Sequence, residues 1–322
     1  MGDASMRIIF VFTDLILPLV LGYYLHQRHV ISDKGCNQLI RFNIVILSTV
    51  LSLLSFWVLP LSAGLLWLPL FGILFVLLPG IIGELTFART YPDWLDRGAY
   101  MISAMLSNMG TLGGLCAFIL YNEAGFAYSQ IVVTFQNLML VLVCFPLAQY
   151  YHARHTASTQ KTVLRFDLRA MFLTWNQLSV LGMLAGLLLQ AAGIERPPIL
   201  GSFFQSLVHI GAWSALLPVG YLIDFHHARP YYHRVLNLIP LRFLIMPAAI
   251  FFISRLLFTD QILLGTLMIL ATTPTAINAV LTSRLYKLSV DLAVASFLIT
   301  TILFTLLVFP LLFFYVQWGG QF

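Results

Sequence analysis

The sequence predicts an all-α polytopic membrane protein of ten transmembrane helices, arranged as two five-helix repeats of inverted topology. Three observations carry that prediction. Sixty per cent of the 322 residues are apolar and 9% are charged, with a mean hydropathy of +0.92. The basic residues alternate from one connection to the next along the chain. Two apolar runs at corresponding places in the two halves are interrupted near their centres by glycine, proline, amide and hydroxyl groups.

Composition excludes most alternatives. A soluble domain needs a surface far richer in charge. A span takes about 20 mostly apolar residues, so about ten fit into this length. The apolar runs are continuous, whereas a transmembrane barrel would alternate with a period of two. The first 30 residues read as a span and not as a cleavable signal, because the run is span-length and no small-residue cleavage site follows it. The net charge of +5 does not point to nucleic acid, since the charges sit in short connections, where basic residues set membrane orientation. Cys36, Cys116 and Cys144 are too few and too scattered for a disulfide framework or a metal site. They read as small buried hydrophobes.

The spans are read at 8–26, 38–59, 65–87, 100–121, 127–150, 173–192, 204–225, 235–257, 262–284 and 290–315. Fourteen of the 17 Lys and Arg residues fall in or beside the connections after spans 1, 3, 5, 7 and 9. Arg7, Arg196 and Arg255 fall on the other side, and every histidine except His209 follows the majority. That bias puts both termini outside the cytoplasm. The basic stretch 151–169 reads as a cytoplasmic linker between a first half, 1–150, and a second, 170–322. An odd number of spans per half inverts the second half relative to the first, as in an inverted-topology repeat. An offset of 166 residues lays SNMGTLGG of span 4 over TTPTAINA of span 9, with Asn108 on Pro274.

Those two segments are where a ligand site is expected. Pro274 has no N–H to donate and its ring clashes with the preceding turn, so a helix there kinks or breaks. In lipid, a break survives only where it is buried in protein or lines a cavity. Broken helices near the midplane are where secondary transporters hold substrates. In span 4, Gly110 and Gly113 permit close backbone approach, and Asn108 and Thr111 add hydrogen-bonding groups; a plain packing face of small residues is the alternative reading. In span 9 the candidates are Thr273, Pro274, Thr275 and Asn278, the last one turn after the proline. Asn137, deep in span 5, joins them. Helix N-termini aimed at one cavity favour an anion, and freed carbonyls favour a cation.

Ionisable residues inside spans are costly and usually functional. Asp14 in span 1 and Glu84 in span 3 are the candidates for coupling to H+ or Na+, against the plainer readings of a backbone-bonded carboxylate and a solvated span end. Asp224 and Arg242 lie near inner span ends, where they can snorkel or pair. No P-loop, GxSxG, HExxH or catalytic carboxylate pair is present, so nothing argues for an enzyme, a cofactor or a metal.

The segment ATTPTAINAVLTSRLYKLSVDLAVASFLITTILFTLLVFP, with Pro274, Asp291 and Pro310, resembles the closing segment of the auxin efflux carrier family. LILPLVLGYYLHQR, SNMGTLGG followed by NEAGFAYSQIVVTFQNL, and LRFLIMPAAIF agree in order and spacing. The resemblance implies crossing broken helices 4 and 9, a scaffold from spans 1, 2, 6 and 7, and a transport unit from spans 3–5 and 8–10. It also implies a homodimer in a bacterial inner membrane that moves small organic anions, auxin-like compounds or carboxylates and dicarboxylates, by an elevator-type displacement. The family's proline after the span 4 glycines is replaced here by Leu115. A non-transporting receptor on the same fold, or a sodium-coupled carrier like the bile-acid symporters, is the alternative.

Overall fold

The computed structural model describes residues 9–156, 178–221, 229–320 and 322. Most of the 151–169 linker, the start of span 6 with Asn176 and Gln177, Arg7 and Asp224 lie outside the described residues. Every described element is helical, apart from one isolated antiparallel bridge. The helices are α1 (Leu17–Gln27, entered through a π turn at Val11–Ile16), α2 (Lys34–Trp57), α3 (Ala63–Thr86) and α4 (Trp94–Met105). The run Met109–Thr156 is two helices, α5 (109–120) and α6 (123–156), because Tyr121 and Asn122 leave helical geometry and Asn122 takes φ 54°. Then come α7 (Leu178–Ala191), α8 (Pro198–Tyr221), α9 (Leu238–Leu257), α10 (Gln261–Ala271), α11 (Ile277–Leu285) and α12 (Val290–Gln317). Among the described residues, six helical runs are long and apolar enough to cross a membrane: α2, α3, the α5–α6 run, α8, α9 and α12.

Apolar side chains gain little by leaving lipid for protein, so helices in a bilayer associate through close packing and interhelical hydrogen bonds. Two helix pairs show this directly. On α1 and α8, a Cβ at Gly22 would lie 2.0 Å from the Leu217 carbonyl oxygen, and one at Gly220 would lie 2.1 Å from that of Leu19. On α7 and α2, Gly182 and Gly186 meet the carbonyls of Thr49 and Leu53 in the same way, at 2.2 and 2.4 Å. Asn43 of α2 donates through Nδ2 to Gly211 O and Ser214 Oγ of α8, both at 2.8 Å. These contacts tie α1, α2, α7 and α8 into one group.

The remaining helices pack around two other cores. Phe71 and Phe75 of α3 meet Tyr128 and Val132 of α6 and Leu264 and Leu267 of α10. Tyr100 and Ile102 of α4 meet Ala293 and Phe297 of α12. Between the two groups lies a third core, in which Phe118 of α5 and Phe126 of α6 pack on Phe204 of α8 with centroids 5.8 and 5.7 Å apart.

Candidate functional site

α4 stops at Met105 because the chain turns extended at Leu106 (φ −97°, ψ 114°), and helix resumes only at Met109. α10 stops at Ala271, and α11 begins after Ala276, which is also extended (φ −78°, ψ 151°). Backbone groups released by a break need partners inside the protein. Here the two breaks supply them to each other: Ser107 bridges Thr275, Asn108 N donates to Pro274 O at 2.8 Å, and Ala276 N donates to Leu106 O at 2.9 Å. Asn108 and Pro274, the pair aligned by the 166-residue offset, are thus hydrogen-bonded.

Side chains hold this junction in place. Thr275 Oγ1 donates to Ser103 O at 3.0 Å, and Thr275 N donates to Thr300 Oγ1 at 3.0 Å. Gln136 of α6 donates through Nε2 to Ser107 O at 2.8 Å. Arg242 of α9, only 2% exposed, donates through Nη2 to Ser103 O and Leu106 O at 2.8 and 2.7 Å.

Beside the junction is a cavity of about 650 Å³, within the range of small-molecule sites, about 300–1,000 Å³. Its wall is built from both helix groups. α2 contributes Asn37, Asn43 and Ser48, α8 contributes Gly211 and Ala212, and α6 contributes Gln130, Gln136 and Asn137. The first break supplies Ser107 and Asn108, while α11 presents Ile277, Asn278, Leu281 and Arg284 at helical spacing. Among the described lining residues the only charged one is Arg284, and none is a carboxylate. Asn37 and Arg284 are exposed and mark one end of the cavity. Phe126, which packs with Phe118 on Phe204, also lines it.

Beyond that aromatic layer a second hollow, of about 380 Å³, lies at the far ends of α2 and α5. There Arg196 makes a bidentate ion pair with Glu123, at 2.7 and 3.0 Å, and also donates to Leu54 O at 2.9 Å. The α7–α8 connection is thereby tied to the α5–α6 turn.

Residues 5–314 match the family profile described as Membrane transport protein. The chain belongs to the membrane transport protein family. That family includes the auxin efflux carriers, so the resemblance read from the span 9 and span 10 motifs holds. A comparison with curated proteins gives no match.

For a membrane transport protein, the candidate residues named from the sequence fall into three groups once placed in the fold. Asn108, Gly110, Thr111, Asn137 and Asn278 line the cavity. Gly113, Thr273, Pro274 and Thr275 do not; they are buried in the junction behind its wall, with Gly113 packed against Leu270 and Thr273. Asp14 and Glu84 lie outside the cavity altogether. Asp14 is 4% exposed and hydrogen-bonds His209 of α8 through Nδ1. Glu84 accepts from Arg97 and, at 2.9 Å, from the Tyr151 hydroxyl.

Sequence reasoning missed Asn43 and Arg284 as wall residues, although an asparagine inside the run FNIVILS and an arginine in helical register with Asn278 were visible signals. It also read Arg242 as an end residue that snorkels or pairs, whereas the side chain is buried and turned onto the end of α4. Asn108 combines two features: it is 5% exposed, and its Nδ2 is buried without a hydrogen-bond partner among the described residues. A buried donor left in that state is costly until an acceptor reaches it.

Proposed function

We propose that this membrane transport protein is a secondary transporter of small organic anions, with carboxylates and dicarboxylates the leading class. The observation that carries the reading is the wall chemistry. The cavity offers amides and hydroxyls from both helix groups, one cation at its open end and no acid among the described lining residues. A carboxylate accepts hydrogen bonds and repels other carboxylates, so such a wall suits it, whereas a cationic substrate would find no counter-charge. The N-termini of α5 and α11 add their positive dipole ends beside it.

In this reading ten spans form a five-plus-five inverted repeat, and the two breaks cross near mid-membrane. α1, α2, α7 and α8 are the scaffold, and the other helices carry the site past it. The close glycine packing inside the first group favours its staying one rigid body while the others move. The open end lies beside Arg284 and the other inner basic residues, so the cavity faces the cytoplasm. The aromatic layer and the Arg196–Glu123 pair bar the outer side. Displacement of the second group, breaking that pair, would expose the site outward.

The test is flux from proteoliposomes holding the purified chain, challenged with mono- and dicarboxylates beside neutral and amine analogues of equal size. Saturable uptake confined to the carboxylates is the expected result. Equal uptake of the amines, or no uptake of any carboxylate by current or isotope, would overturn it.

A further inference from the structure

Arg242 is buried without a carboxylate partner among the described residues, and its Nε has no hydrogen-bond partner there either. A charge in that state is expensive unless something of opposite sign faces it. What faces it is the carbonyl end of α4. Helix C-termini carry about half a negative charge, and the break at Leu106 exposes that end beside the cavity, next to Ser107 and Asn108. Left bare, the α4 terminus would repel an anion in the cavity and attract a free cation, since unwound carbonyls at helix breaks are where carriers of this general kind hold sodium.

Three carbonyls at that end are held by donors from other segments. Ser103 O accepts from Arg242 Nη2 and Thr275 Oγ1. Leu106 O accepts from Arg242 Nη2 and Ala276 N. Ser107 O accepts from Gln136 Nε2. Among the described residues the end of α10 has no such cation: the Thr272 and Thr273 hydroxyls turn back onto the Ile269 and Leu270 carbonyls of their own helix, at 2.8 and 2.7 Å.

We propose that Arg242 is a tethered counter-cation of the anion site, neutralising the end of α4 from behind the cavity wall and occupying the place a sodium ion would need, so that ligand binding requires no sodium. The inference rests on the anion reading above. Arg242 does not line the cavity, and it is a positioning residue that acts through the α4 terminus.

The test has one arm without ligand and one with malonate as probe. In the first, wild-type protein is melted in sodium, potassium and choline chloride at equal ionic strength. Equal melting temperatures are expected, and a stabilisation specific to sodium would overturn the proposal. In the second, malonate is titrated onto wild type, Arg242→Gln and Arg242→Lys. Glutamine still donates to a carbonyl but carries no charge, so affinity falls about tenfold, and lysine recovers most of it. Glutamine binding as tightly as wild type, or lysine binding as weakly as glutamine, would assign Arg242 a purely structural role. If Arg242→Gln does not fold, lysine against wild type and the salt series still decide: sodium-dependent binding in either sinks the idea. A wild type that melts independently of sodium yet binds no carboxylate would defeat the anion reading alone.

Discussion

The two helix breaks do the same job by opposite means. The break between α10 and α11 is written locally: Pro274 removes a donor, and Thr272 and Thr273 cap their own helix. The break between α4 and α5 has no proline and is fastened from outside, by Arg242, Gln136 and Thr275 from three other segments. One break is therefore a property of its sequence and the other a property of the assembled fold.

That contrast can be broken by substitution, beginning with the largest effects. Asn108→Ala and Asn278→Ala each remove a wall amide next to a different break, and both should cut carboxylate flux to background without changing the melting temperature. Gln136→Ala should follow, because it removes a buried side-chain donor from the Ser107 carbonyl, which is left with Met109 N alone. Losing that buried hydrogen bond together with the packing of the side chain costs about 1–3 kcal/mol, read as a lower melting temperature in detergent. Thr272→Val removes only a local back-bond, and its cost should stay below about 1 kcal/mol. An equal or larger loss in Thr272→Val would erase the distinction between the breaks.

Further substitutions sharpen it. A Cβ at Gly113 would stand 2.7 Å from Leu270 Cδ2 and 3.0 Å from Thr273 Cγ2, so Gly113→Ala must displace those side chains, at a cost of about 1–3 kcal/mol. A Cβ at Gly110 meets only Val133 Cγ1 at 3.5 Å, an ordinary contact, so Gly110→Ala should leave stability within about 0.5 kcal/mol. Glu123→Gln weakens its pair with Arg196, the outer closure proposed above. It should increase labelling of a Thr111→Cys variant by an impermeant thiol reagent from outside by a few-fold, a change of about 1 kcal/mol. Unchanged labelling would remove that pair from the closure.

Much of the architecture was legible. The expected spans 65–87, 235–257 and 290–315 meet helices at Ala63–Thr86, Leu238–Leu257 and Val290–Gln317, because a membrane span is written in a continuous apolar run that needs no tertiary information. The break at Pro274 was legible for the same local reason. The one in the first half was expected among the glycines, yet it lies at Leu106–Asn108, and the stretch Met109–Gly113 is helical. The donors that hold it open come from residues up to 172 positions away, and a local pattern cannot show them. The same reason hid the role of Arg242, whose partner Ser103 is 139 positions distant. Asn108, Asn137 and Asn278 were legible as polar groups in apolar runs, and the cavity brings them together with Asn43 and Arg284.

The central claim is that both breaks serve a single anion site, and side-by-side flux of wild type, Asn108→Ala and Asn278→Ala in proteoliposomes tests it most directly. The account predicts saturable carboxylate flux in the wild type and background flux in both variants, with all three equally folded. Wild-type flux in either variant would contradict it.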